Sequence, residues 1–186
     1  NYTGKQYLSV IGGNYNTDYV GESNITIKSG FFRNVFGGNQ YGTFTGNSYV
    51  TVLGGSYENA VVGGNFTGDF IGDAHLTFAG SASMLYTSNT QGIIGGTLGI
   101  NGEKDCTFTG NIYMTLGGSC GINHNTIGAS RNKNAFTKGN VEITIEDNAY
   151  SFYSLYAGGY ENGVDGNVKF VVNGGDFNGS IFGGSY

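Results

Sequence analysis

A glycine followed five positions later by Ser, Thr or Val inside an apolar sandwich recurs seven times along this chain. The copies are Gly4–Ser9, Gly21–Thr26, Gly46–Thr51, Gly72–Thr77, Gly110–Thr115, Gly139–Thr144 and Gly166–Val171. Successive copies lie 17, 25, 26, 38, 29 and 27 residues apart. A fixed local spacing repeated at such intervals marks a stacked-repeat fold. The period is too short for a four-stranded propeller blade, and no copy carries the 3.6-residue periodicity of an amphipathic helix. Segments of three to five alternating residues between Gly and Asn read instead as short strands. The spacing therefore predicts an all-β fold, a parallel β-solenoid (β-helix or β-arch stack) of about seven rungs with a ~25-residue repeat.

Composition agrees. The 36 Gly come without Pro, which excludes collagen, and 13 Phe with 14 Tyr argue against a disordered low-complexity chain. One domain spanning 1–186 is expected, with insertions near 81–104 and 123–138, where the intervals are longest.

The rung Gly46-Asn47-Ser48-Tyr49-Val50-Thr51-Val52-Leu53 shows the logic. Alternation sends Val50 and Val52 inward and Tyr49, Thr51 and Leu53 outward. Stacked copies then give an outward column of Ser9, Thr26, Thr51, Thr77, Thr115 and Thr144. Six residues further on, Tyr15, Phe32, Tyr57, Tyr150 and Phe177 suggest an inward aromatic stack. Glycine corners separate the columns (Gly12-Gly13, Gly54-Gly55, Gly117-Gly118, Gly174-Gly175). A further corner places Asn47, Asp73, Asn111, Asn140 and Asn167 in line, which suits a hydrogen-bonded ladder between rungs. Apolar pairs before another double glycine, such as Val35-Phe36-Gly37-Gly38 and Ile181-Phe182-Gly183-Gly184, supply a further strand.

On this spacing the chain stops midway through a rung at Tyr186, and Asn1–Leu8 reads as the missing half. Head-to-tail assembly follows, one subunit's last half-rung being completed by the first half of the next. The residues placed at that interface are Asn1, Tyr2, Thr3, Tyr7, Leu8, Val10, Ile181, Phe182 and Tyr186. The alternative is a stretch excised from a longer repeat protein. A start at Asn1 instead of Met fits either a processed chain or an excised segment.

Net charge is −5 with 11% charged residues and no basic patch, so nucleic acid is not an expected partner. No apolar run is long enough to span a bilayer. A polar, charge-poor surface of Asn, Thr, Ser and Tyr suits the cell exterior. Cys106 and Cys120 allow one disulfide, within the chain or between chains, or two free thiols. Sequons at Asn1, Asn24, Asn65 and Asn178 are candidate glycosylation sites.

No catalytic motif, zinc spacing or phosphate loop is present, so neither an enzyme nor a cofactor is expected. The best acid cluster, Glu142, Glu146 and Asp147, reads better as a cross-rung Glu142–Lys169 ion pair than as a glycosidase carboxylate pair. The rival to assembly is a surface adhesin or glycan-binding module acting through exposed Tyr and the insertions.

The strings VFGGNQYGTFTGNSYVTVLGGSY and VVGGNFTGDFIGDAHLTF resemble the Gly-Gly β-strand repeats of large secreted surface proteins of anaerobic bacteria and archaea. Together with the complementary ends, the processed start and the cysteines, the chain is similar to the amyloid-like sheath proteins of filamentous methanogenic archaea. That resemblance implies subunits stacked head to tail into hoops. It also implies Cys106 and Cys120 as covalent links between subunits or hoops.

Overall fold

The computed structural model describes residues 8–88, 90–100 and 104–186. These form an all-β parallel solenoid of about six turns, with no helix. No helix among the described residues is therefore long and apolar enough to cross a membrane.

Each turn visits three sheets. The threonine face stacks Ser23–Ile27, Ser48–Val52, Ala74–Phe78, Ile112–Leu116, Val141–Ile145 and Val168–Val172, all parallel and in register. Its outward column runs Thr26, Thr51, Thr77, Thr115, Thr144 and Val171, as the +5 spacing predicts. Val50, Val52, Leu76, Phe78, Ile143 and Ile145 point inward and are buried. The aromatic face stacks Tyr19–Val20, Phe44–Thr45, Phe70–Ile71, Cys106–Thr109, Ala135–Lys138 and Val164–Asp165. Its inward column of Tyr19, Phe44, Phe70 and Phe108 has ring centroids 5.1, 4.9 and 4.6 Å apart, with successive rings nearly parallel. Those separations are the inter-strand spacing itself, so the backbone ladder dictates the ring stack.

The third sheet is eleven-stranded and carries two columns side by side. Phe31–Phe36 and Ser56–Val62 span both columns as single long strands, whereas later turns break into two short ones. The second column holds the apolar pairs, and both members are buried in Val35-Phe36, Val61-Val62, Ile93-Ile94 and Leu155-Tyr156. Val35, Val61 and Ile93 face the main core. Phe36, Val62, Ile94, Ile127 and Tyr156 face a smaller second core, closed over by Phe66, Leu98 and Tyr160 from the following loops. A strand covered on both faces reads as a continuous apolar run, which is why these pairs do not alternate.

The first strand departs from the sequence expectation. Ser9–Ile11 pairs with Asn34–Phe36, not with the threonine strand, so Ser9 lies outside the threonine column. Gly12 and Gly13 accordingly bond to Phe36 and Gly38 and belong to the corner after the apolar pairs. Tyr15, carried with them, is exposed and packs edge-on against Tyr41 instead of joining an inner stack. Among the described residues, Ser9–Ile11 and Ile181–Phe182 are the first and last strands and stand in one column.

Beside the threonine strands, the expected aromatic stack is only partly realised. Its inward column is Phe32, Tyr57, Met84, Ile122, Ser151 and Phe177. Three middle corners are one residue longer, and Gly80, Gly118 and Asp147 absorb the extra residue with φ of 63°, 63° and 56°. That shift turns Tyr150 outward and puts Ser151 in its place.

The polar corner ladder forms as predicted. The backbone N–H groups of Asp73, Asn111, Asn140 and Asn167 donate to side-chain oxygens of Asn47, Asp73, Asn111 and Asn140 at 2.9, 2.7, 3.2 and 3.0 Å. The left-handed backbone there is supplied by the preceding glycines (φ 142° at Gly110), not by the Asn residues. A second ladder, unforeseen, follows the other double glycine. Asn14 N–H donates to Asn39 Oδ1 and Asn39 N–H to Asn65 Oδ1, each at 2.7 Å.

Candidate functional site

The features that distinguish this solenoid chemically lie at the two ends of its stack. At one end the outer edges of Tyr19–Val20 and Ser23–Ile27 meet no further strand among the described residues; at the other, those of Val164–Asp165, Val168–Val172, Asp176–Phe177 and Ile181–Phe182 do the same. Each edge presents unpaired backbone N–H and C=O groups and the open side of a hydrophobic column. The inward side chains bear this out. Tyr19, Ile25 and Phe32 at one end, and Val164, Val168, Phe170 and Phe177 at the other, pack on the core yet stay only partly buried. Their equivalents one turn further in, such as Phe44, Val50 and Tyr57, are essentially inaccessible.

Of the residues placed at an interface by sequence, Leu8 (55% exposed) and Val10 lie at the first end. Ile181, Phe182 and Tyr186 cluster at the last, exposed 41%, 40% and 76%. Phe182 stacks on Tyr156 at 4.9 Å, and Tyr186 lies flat on Tyr160 at 5.1 Å. Asn1, Tyr2, Thr3 and Tyr7 lie outside the described residues. The sequence reading set Ile25, Phe32 and Phe177 inward but placed neither them nor Tyr19 and Phe170 at an end of the stack. The register of the columns was the signal, and the misplaced first strand concealed it.

Of the alternatives for the two cysteines, the structure supports two free thiols. Cys106 opens a strand of the aromatic face, whereas Cys120 precedes a strand of the eleven-stranded sheet. Both are free and buried. Burial raises both thiols above their ordinary range, Cys120 to about 11, so neither offers a thiolate for exchange. Nor does either expose its sulfur to a second chain.

Among the sequons, Asn24 and Asn178 are exposed. Asn65 is not an acceptor: it is fully buried, and its amide bonds the Asp69 carbonyl at 2.9 Å and the Asn39 N–H. Asn1 lies outside the described residues.

Glu142 and Lys169 form the expected ion pair across adjacent turns at 2.7 Å. The Asp147 carboxylate accepts the Gly118 N–H, so it does not join Glu142 in a cleft. Tyr49, His75 and Tyr113 stack along the outer surface at 4.7 Å steps, their faces turned to one another. His124 lies beside the mutually stacked rings of Tyr86 and Tyr153, and its Nδ1 is buried without a partner. Burial, and secondarily Arg131, lower its pKa to about 4, so it is neutral at physiological pH.

No family model matches this chain, and neither a curated protein nor a solved structure shows significant similarity to it.

Proposed function

We propose that this chain is a structural protein of the cell exterior that polymerises by stacking one solenoid end on the other. One observation carries the reading: the two open edges present matching columns. Tyr19 at the first end belongs to the same column as Val164 at the last, Ile25 to that of Phe170, and Phe32 to that of Phe177. Docking a second copy would continue every ladder at ~4.8 Å spacing and bury the half-covered apolar side chains. The joint is a strand-on-strand contact. It is heterologous, so it propagates into rings or filaments. The likeness to hoop-forming sheath proteins belongs to the same reading.

Electron microscopy and fibre diffraction of the purified protein test it. Fibres or hoops with a ~4.8 Å repeat along the axis are expected. Monomers that persist at high concentration would overturn it. Phe170→Asp places a charge in the joint and should abolish assembly while leaving the β-sheet circular dichroism intact.

A glycan-binding role is the second reading. Tyr86 and Phe152, exposed at 63% and 58%, favour it, and saccharide titration followed by tyrosine fluorescence checks it.

A further inference from the structure

We infer that the first strand, Ser9–Ile11, is a removable stopper that occupies the docking site of the last strand of a second copy. The inference rests on the assembly reading above. In-register stacking places Tyr19–Val20 of one copy on Val164–Asp165 of another and Ser23–Ile27 on Val168–Val172, and it brings the strand that carries Phe32 into line with the column of Phe177. Continuing along the same strand, Asn34–Phe36 must then lie on Ile181–Phe182 of the second copy. One edge of Asn34–Phe36 pairs with Ala60–Val62. The other is already occupied by Ser9–Ile11. Two strands therefore compete for one edge.

The competitors are chemically alike. Ser9-Val10-Ile11-Gly12-Gly13-Asn14 and Ser180-Ile181-Phe182-Gly183-Gly184-Ser185 share one series: Ser, two apolar residues, two glycines and a polar residue. They also stand in the same column, Val10 beneath Val35 and Ile181 above Leu155. Contacts that now hold the first strand can pass to the last strand of a neighbour. The Phe36 carbonyl receives the Gly12 N–H at 2.9 Å and would receive that of Gly183. Asn39 Oδ1 receives the Asn14 N–H at 2.7 Å and would receive that of Ser185. Asn34 Nδ2 donates to Ser9 Oγ at 3.0 Å, and Ser180 brings an equivalent hydroxyl.

The first strand is the one that yields. The last strand is held in its own subunit by Leu155 N–H to Ser180, Ala157 N–H to Phe182 and Gly158 N–H to Gly184. It is held also by the Tyr156–Phe182 and Tyr160–Tyr186 ring stacks. Exchange further replaces Ile11 by Phe182 against Phe36, which creates one more ring stack of the Tyr156–Phe182 kind. Release of Ser9–Asn14 thus gates growth at this end: the seated strand keeps subunits apart, and its removal exposes an edge that only another copy fits.

Two variants and the intact chain test this by sedimentation and electron microscopy. Ser9→Cys with Asn34→Cys staples the first strand to its edge, since these residues are register partners. The stapled chain should lose polymerisation when oxidised and regain it with reductant. A chain lacking residues 1–14 should polymerise with a shorter lag than the intact protein. If the oxidised, stapled chain polymerises as the intact chain does, the stopper is refuted while the assembly reading stands. The stopper is also refuted if the truncated chain folds but no longer polymerises where the intact chain does. If neither the intact nor the truncated chain polymerises, the assembly reading itself fails and the stopper with it.

Discussion

The Asp73 carboxylate receives the backbone N–H of Asn111 at 2.7 Å across one turn of the coil, while the Asp73 N–H donates to Asn47. Each interior link of this ladder, Asp73, Asn111 and Asn140, thus serves as donor to one neighbour and acceptor to the other. Asp73→Ala should leave the Asn111 N–H without an acceptor and cost about 1–2 kcal/mol. Asp73→Asn keeps an oxygen in place and should cost far less. Urea midpoints of the two variants check this; equal losses would mean that the corner, not the hydrogen bond, matters.

Phe70 sits between Phe44 and Phe108 in the buried ring column, whereas Tyr49 stacks on His75 at the surface. Phe70→Ala is expected to destabilise by roughly 3–5 kcal/mol, because it removes a buried side chain and leaves a cavity between two rings. Tyr49→Ala forfeits one partly exposed contact and should cost about 1 kcal/mol or less. Thermal melts of both variants decide whether the inner column dominates stability.

Gly72 has φ of 143°, and a Cβ there would run into the Gly46 carbonyl oxygen one turn away. Gly72→Ala should therefore cost on the order of 3 kcal/mol. Gly163, where an added Cβ meets nothing, is the control. Comparable midpoints for the two alanine variants would contradict the close approach of successive turns.

His124 titrates at about 4 in the folded chain and near 6.5 when unfolded, the cause being burial first and the nearby Arg131 second. The unfolded state binds the extra proton between these values. Stability is therefore fully present above pH 6.5 and falls as pH drops towards 4. His124→Gln should flatten that part of the denaturation profile relative to the native chain. Parallel profiles for the two would show that the histidine is hydrated.

Thiol labelling addresses the cysteines. Cys106 and Cys120 should both resist an aromatic disulfide reagent in the folded protein and react fully in denaturant. Because folding raises the Cys120 thiol from 9.0 to about 11, its contribution is fully present below pH 9 and is lost as pH rises through 11. Rapid native labelling would place a sulfur at the surface.

Much of the coil was legible because its determinants are local. Val50, Thr51 and Val52 alternate within one strand, and Gly46 and Asn47 set the corner before it, so five residues specify a rung. The Glu142–Lys169 pair followed from the same register. Short segments were less legible. Ser9-Val10-Ile11-Gly12-Gly13 satisfies both the threonine-strand rule and the apolar-pair rule, and nothing within it decides between them. Asn65 reads as a sequon and an exposed polar residue, yet the loop that closes the second core buries it.

By itself, then, the sequence determined the parallel stack, its ~25-residue period, the inward Val, Leu and Ile columns and the Asn47–Asn167 ladder. Period-2 alternation and glycine corners act over a few bonds and repeat faithfully. The tertiary structure alone decided which column received Ser9–Ile11, that Phe36 and Val62 form a second core, and that Cys106 and Cys120 stay apart. Those outcomes depend on which neighbouring turn offers a free edge or a cover. That is a property of the whole stack, and no single rung encodes it.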